Sequence, residues 1–196
     1  MRLLLLAPPG AGKGTQGASL AAHYGITHIS SGDLLRQHIQ DQDELGRQVQ
    51  AYLAAGDLVP DEVMIALVSG PAREAAAAGG FILDGFPRTL KQAQMVLQSA
   101  KEAGTILHAV IFLDVPDDVL VARLIARGRG ADDTEHTIRH RLEVYHRETE
   151  PLIAFYRERG LLRHVDGNQP IEAVTAAIDA ALSDLDDAPA LVEQLP

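Results

Sequence analysis

Lys13 stands in the run Ala7-Pro8-Pro9-Gly10-Ala11-Gly12-Lys13-Gly14-Thr15. Before it lies Met1-Arg2-Leu3-Leu4-Leu5-Leu6, an apolar stretch of strand length, and after it Gln16 to Tyr24 reads as helix. Strand, glycine-rich turn and helix form the setting of a phosphate-binding loop. Backbone N–H groups of such a loop turn inward as an anion nest. The open start of the next helix adds unpaired donors and a positive dipole end. Lys13 adds a full charge able to reach the outer phosphates. The fit to the generic loop is imperfect: Ala7 replaces its first glycine, Gly14 occupies the slot of the Mg²⁺-touching Ser or Thr, and Thr15 comes one place late.

A second set of groups suits the same chemistry. Asp84 ends the apolar run Phe81-Ile82-Leu83, where a carboxylate can hold water of hydrated Mg²⁺, an ion that binds few protein groups directly. The plain alternative is a strand-end Asp capping the next turn. Arg36 and Arg88 adjoin turns and can clamp phosphate, although a single Arg is more often a solvated surface group. Thr89-x-x-Gln92 spells a capping box, so on spacing alone Gln92 satisfies an amide at a helix start. Arg123 and Arg127 lie four apart on one helix face and can converge on one anion. Arg139 and Arg141 lie two apart, so only one can face a given site. Arg139 and Arg147 also fit a salt-bridged face with Asp132, Asp133, Glu135 and Glu143. The histidines have no metal-ligand spacing, and His136, His140 and His146 are expected to face solvent.

These groups need elements to carry them. Strands are expected at 1–6, 26–29, 81–84, 107–113 and 161–165. Helices are expected over 16–24, from Ser30-Ser31-Gly32-Asp33 onward, and over 45–55, 61–78, 89–102, 116–127 and 170–182, with a long helix from Thr134. Pro71 and Pro151 are expected to kink or break their helices. Five strands alternating with helices predict an α/β fold, a five-stranded parallel sheet covered on both faces. Right-handed crossovers then bring every strand's C-terminal end to one edge. The phosphate loop, Asp84 and the Gly85 turn all fall there, where such sheets bind ligands. No strand interrupts 31–78, which predicts an inserted helical subdomain.

The whole chain sets outer bounds. Its 196 residues suit one domain, and 46% hydrophobic content suffices for a core. There is no Cys, hence no disulfide framework and no thiolate metal site. No apolar run approaches the roughly 20 residues of a membrane span, and the N-terminus lacks signal-peptide shape, so a cytoplasmic location is the default. A net charge of −10 disfavours nucleic acid and anionic membranes as partners. Of 17 Lys and Arg residues only Lys13, Lys91 and Lys101 are lysine. An Arg-rich acidic protein can still grip nucleotides through planar, bidentate contacts.

Taken in order, five motifs resemble adenylate kinase, a nucleoside monophosphate kinase family, in its short-lid form. They are Pro8-Pro9-Gly10-Ala11-Gly12-Lys13-Gly14-Thr15-Gln16, Ser30-Ser31-Gly32-Asp33-Leu34-Leu35-Arg36, Leu58-Val59-Pro60, Asp84-Gly85-Phe86-Pro87-Arg88-Thr89, and Asp132-Asp133 with Arg141-Leu142. The displaced Thr15 is that family's own form of the loop. The resemblance implies transfer of the ATP γ-phosphate to AMP, giving two ADP, with Mg²⁺ and without zinc. It implies that Gly10, Ala11, Gly12, Lys13, Gly14 and Thr15 hold the donor phosphates, that Arg123 and Arg127 face donor phosphate and adenine, and that the backbone of Gln169 contacts the donor adenine. It assigns AMP to Ser31, Arg36, Asp57, Leu58, Val59, Gly85, Phe86, Pro87, Arg88, Gln92, Arg129 and Arg141. Lys13, Arg88, Arg123, Arg129 and Arg141 become the catalytic cations, with Arg129 and Arg141 closing on the transferring group, and Asp84 orients hydrated Mg²⁺. The expected layout is a 1–182 core with an AMP-binding insertion at 30–59, a short lid at 126–133 and an acidic tail at 183–196; a monomer is expected.

Three departures stand out. Ala7 is harmless if its φ is negative and strained if not. Residues 129–133 carry one residue more than many short lids, which puts the role of Arg129 in question. Asp57 sets a negative charge beside the AMP pocket. A UMP or CMP kinase of the same family is the alternative substrate reading; Thr89 and Gln92 favour AMP, since an amide pairs with both a donor and an acceptor on the adenine edge. A GTP-using donor site and a nucleotide-binding regulator without turnover are the remaining readings.

Overall fold

The computed structural model describes residues 1–128 and 134–186. β1 (Arg2–Leu6) leads through the glycine loop into α1 (Lys13–Tyr24), followed by β2 (Thr27–Ser30). Three helices come next: α2 (Ser31–Gln40), α3 (Glu44–Ala55) and α4 (Asp61–Ala77). β3 (Phe81–Asp84), α5 (Leu90–Ala103), β4 (Ala109–Asp114) and α6 (Asp117–Arg127) continue the alternation. The last described stretch holds α7 (Glu135–Val144), α8 (Pro151–Arg157), β5 (Leu162–Asp166) and α9 (Ile171–Asp186). No helix among the described residues is long and apolar enough to cross a membrane.

All five strands are parallel, in the order β2-β3-β1-β4-β5. β1 lies at the centre, with Leu5 opposite Asp84 on one side and Ile111 on the other. Its leucines alternate between two cores, as a strand period of two requires. Leu3 and Leu5 join Leu20, Ile111, Leu120 and Ile178 on one face, while Leu4 and Leu6 join Ile29, Leu83, Val110 and Leu152 on the other. A strand buried on both faces has no polar alternation to display, which explains the unbroken apolar run. The chain leaves β1 toward one side of the sheet and leaves β3 toward the other. The C-terminal ends of these two strands therefore flank the switch point, the favoured ligand crevice of an open α/β sheet.

Several boundaries differ from expectation for local reasons. α1 starts at Lys13, inside the loop motif. α4 is not broken at Pro71. The long helix is interrupted by a wider turn, Tyr145–Thr149, in which the Glu150 N–H bonds Tyr145 O at 2.9 Å. That turn ends just before Pro151, which has no N–H to continue a regular ladder and instead opens α8. α9 runs on to Asp186, past the expected end at Leu182, and Arg163 donates to Asp184 at 2.8 Å. The start of the acidic tail is thus helix; residues 187–196 lie outside the described residues.

Candidate active site

The loop between β1 and α1 is shaped by two glycines in the left-handed region, Gly10 (φ 86) and Gly12 (φ 96). A Cβ on Gly10 would approach Leu124 Cγ to 2.9 Å, so this position is confined by α6 as well as by its backbone. Ala7 needs no such freedom. Among the described residues Gln42 is the only non-glycine with positive φ, and Ala7 packs into the core at 6% exposure. The substitution of the loop's first glycine is therefore unstrained. Gly12 caps α1 without a side-chain bond, which leaves the first-turn amides to an anion. Lys13 Nζ arches back over the loop and donates to Ala7 O at 2.9 Å and Pro8 O at 3.0 Å.

Next to it, β3 delivers Asp84, 8% exposed. His28 of β2 lies beside it, with Nε2 3.9 Å from an Asp84 carboxylate oxygen. Burial pushes the Asp84 carboxyl up, but His28, Lys13 and Arg88 more than offset this, and it stays below the usual Asp value. Lys13 moves the other way: burial and the charges of Arg88, Arg141 and Arg127 outweigh Asp84 and bring it down to about 8. Arg88 is likewise lowered, by burial first and then by Arg141. These shifts have one cause. Lys13, Arg88, Arg127 and Arg141 are gathered close enough to repel one another at low dielectric, an arrangement that bound phosphates relieve.

The turn after β3 fixes Arg88, whose Nε donates to Gly85 O at 2.7 Å. Thr89 caps α5 by accepting the Gln92 N–H at 3.1 Å. The expected capping box is only half formed: Gln92 Oε1 accepts from the N–H of Arg88, not of Thr89, at 2.7 Å. Its Nε2 donates to Asp61 of α4 at 2.8 Å. At the start of α2, Ser30 Oγ accepts from the Asp33 N–H at 3.2 Å, and Arg36 is paired with Asp33. Ser31 is buried, and its hydroxyl has no hydrogen-bond partner among the described residues.

Two cavities meet at this edge. One is lined by the loop residues Gly10, Gly12, Lys13, Gly14 and Thr15 together with His28, Ser30, Asp84, Arg123 and Arg127. The other is a partly apolar slot of Leu35, Leu53, Leu58, Val59 and Met64 that also has Asp57 and Gln92 on its wall. Gly32, Arg36, Arg88 and Arg141 line both. Most of the expected site residues thus converge. Ala11 and Phe86 pack into the cores and line neither cavity. Pro87 lines a third recess with Lys13, Arg88 and Arg141. The Gln169 side chain turns to Asp166 at 3.0 Å. It follows Gly167, whose carbonyl accepts from Arg123 at 3.2 Å and 3.3 Å. Arg129, Asp132 and Asp133 lie outside the described residues.

His136 and His146 are exposed as expected, and His140 is partly exposed, with Nε2 2.7 Å from Asp57 Oδ1. His146 bridges Asp117 at 3.0 Å and Glu150 at 2.7 Å. An acidic surface supplies partners that spacing does not reveal. Arg139 does form the expected helical pair with Glu135, at 2.8 Å, while Arg147 takes Glu148. Sequence reasoning missed His28, Asp61 and the apolar wall of Leu35, Leu53 and Met64. Asp61 falls at the start of the helix expected over 61–78, and the apolar residues fall inside expected helices, where nothing in the spacing sets them apart.

A family model described as "Adenylate kinase" matches residues 5–161. The chain is 52% identical over 186 residues to "Adenylate kinase" of Clavibacter michiganensis, covering 93% of this chain and 92% of the relative. It is 49% identical over 177 residues to "Adenylate kinase 1" of Synechocystis sp., covering 90% and 94%. Against "Adenylate kinase" of Corynebacterium urealyticum it is 49% identical over 182 residues, covering 93% and 99%.

Proposed function

The chain belongs to the adenylate kinase family, and on that premise we propose how it transfers the γ-phosphoryl group of ATP to AMP, reversibly, to give two ADP. The observation that carries the reading is the shared wall. Gly32, Arg36, Arg88 and Arg141 line both the loop cavity and the partly apolar slot. A phosphoryl group passing from one nucleotide to the other must cross between those cavities, and the cations stand at that crossing.

ATP phosphates rest on Gly10 to Thr15 and the first-turn amides of α1, with Lys13, Arg123 and Arg127 around them. The AMP base enters the slot of Leu35, Leu53, Val59 and Met64, and its phosphate meets Arg36, Arg88 and Arg141. A phosphate monoester has a second pKa of about 6, so the AMP phosphate is ionised at neutral pH. One of its oxygens attacks Pγ, the bond from Pγ to the β–γ bridging oxygen breaks, and ADP leaves with the electron pair. No proton moves, so no general base is required. What the protein supplies is alignment and charge compensation on the moving group. Closure of the 30–59 insertion and the 126–133 lid would exclude water, which otherwise accepts the phosphoryl group.

The donor set of the loop cavity suits hydrated Mg²⁺. Among the described residues Asp33 and Asp84 are the carboxylates on its wall, and Asp33 is engaged by Arg36. That leaves Asp84 to orient metal-bound water, the usual mode for an ion that keeps most of its shell. Magnesium, bound with ATP, neutralises charge on the β- and γ-phosphates. The accompanying readings are a monomer acting in the cytoplasm without zinc. They rest on the family and, for zinc, on a sequence without Cys.

The test is a coupled assay of ATP with AMP, UMP, CMP and GMP, run also from ADP. AMP is expected to be the fastest acceptor by a wide margin. Faster turnover of UMP or CMP would sink the substrate assignment.

A further inference from the structure

We propose that Asp61 sets the base specificity of the AMP slot by fixing which way the Gln92 amide faces. The inference rests on the slot binding the nucleoside monophosphate. Gln92 is 1% exposed, so water cannot repair a lost bond there. Its amide has two N–H donors and two acceptor lone pairs. One lone pair takes the Arg88 backbone N–H at 2.7 Å, and one N–H goes to Asp61 Oδ1 at 2.8 Å. A carboxylate only accepts and a backbone N–H only donates. Turning the amide over would set oxygen against oxygen at Asp61 and donor against donor at Arg88.

Asp61 is itself held from several sides. Its Oδ1 also accepts from Thr89 Oγ1 at 3.3 Å, and its Oδ2 lies 3.3 Å from Lys91 Nζ, which bonds Glu62 as well. It sits in the first turn of α4, where the helix end favours negative charge.

With the amide so oriented, one lone pair and one N–H remain. A 6-aminopurine offers a donor at its amino group and an acceptor at N1, the complement of that pair. A 6-oxopurine offers an acceptor at O6 and a donor at N1, and would need the amide reversed. Asp61 is therefore a positioning residue: it acts on the base through Gln92. A polar site left mispaired rejects the wrong ligand far more strongly than an apolar one does.

The experiment compares kcat/KM for AMP and for inosine monophosphate in the wild type, Asp61→Leu and Asp61→Asn. Asp61→Leu should lower the AMP-to-IMP ratio by about 10- to 100-fold, the worth of one hydrogen bond to a charged group, with more of the change in KM than in kcat for AMP. Asp61→Asn keeps an oxygen for Gln92 and Thr89, so it should retain most of the ratio. Loss of the Lys91 pair and of the helix-end charge is common to both variants and should lower Tm in both alike. If Asp61→Leu does not fold, Asp61→Ser gives the same reading, its side chain being too short to reach the amide. An unchanged ratio in a variant that has lost the amide contact, or an equal fall in Asp61→Asn, overturns the proposal while leaving the kinase intact. A wild type that does not phosphorylate AMP overturns the assignment of the slot, and the proposal with it.

Discussion

His140 of α7 and Asp57, in the connection from α3 to α4, meet through a 2.7 Å contact between Nε2 and Oδ1. The pair joins the helical insertion to the helix that carries Arg141. It also gives the Asp57 carboxylate, on the wall of the AMP slot, a hydrogen-bond partner. Partly exposed pairs of this kind are worth up to about 1 kcal/mol. His140→Ala should therefore raise KM for AMP by up to about 5-fold and leave kcat nearly unchanged. A fall in kcat with KM constant would place the pair in the chemical step instead.

Lys13 carries opposing demands. Its pKa near 8 means that the free enzyme loses the Lys13 charge as pH rises through that value. Bound phosphates favour the charged form, so kcat/KM should fall above about pH 8 while kcat holds to higher pH. For stability the sign is reversed. The folded pKa lies below the ordinary 10.5, so between those values the unfolded chain binds more protons and Lys13 contributes rising stability with pH. Lys13→Met should lack this rise.

The same substitution separates binding from folding. Lys13→Met should cut turnover by about 10³-fold or more, the scale of such electrostatic clamps. It also removes a cation repelled by Arg88, Arg141 and Arg127, at the loss of two bonds to loop carbonyls. Calorimetry should find a Tm at least as high as that of the wild type. A Tm lowered by several degrees would mean that the carbonyl bonds dominate.

Arg141 lines both cavities and the recess beside Lys13. A cation at the crossing interacts most strongly with charge that develops in transfer. Arg141→Ala should thus reduce kcat by about 10³-fold, comparable to removal of an arginine finger, and raise KM for AMP far less. A pure rise in KM would instead indicate uniform binding of ground and transition states.

Gly46 of α3 is a packing constraint on the insertion. A Cβ there would lie 2.0 Å from His38 O and 2.8 Å from Ile39 Cα, both backbone atoms of α2. The helices must separate to admit a methyl group, and overpacking of this kind costs about 1–3 kcal/mol. Gly46→Ala should lower Tm by about 5 °C and weaken AMP more than ATP. Unaltered thermal unfolding would contradict the close approach of α2 and α3.

The extent of agreement between sequence and structure follows the range of the interactions. The loop around Lys13, the five strands and the helix starts at Ser30, Thr89 and Pro116 are local patterns, set by nearest neighbours and side-chain period, and all are present. The misfits are non-local. Gln92 reads as a capping residue by spacing, yet Asp61 of another helix claims its amino group. His140 is partly solvated as expected, and its pairing with a residue of the insertion is the part that spacing does not show. Leu35 and Met64 pack into a core cluster and also line the slot.

The sequence by itself determined the phosphate-binding loop, the parallel α/β alternation and the kinase family. Glycine freedom, helix-start chemistry and hydrophobic period act over a few residues and are written in order along the chain. Only the tertiary structure decided that Arg36, Arg88 and Arg141 line the same two cavities, that Asp84 lies beside His28, and that the Gln92 amide bonds both Asp61 and the Arg88 N–H. Those outcomes depend on the distance and burial of side chains from distant segments. Coulomb energies and hydrogen bonds fall off too steeply with separation, and change too much with dielectric, to be read from position in the sequence.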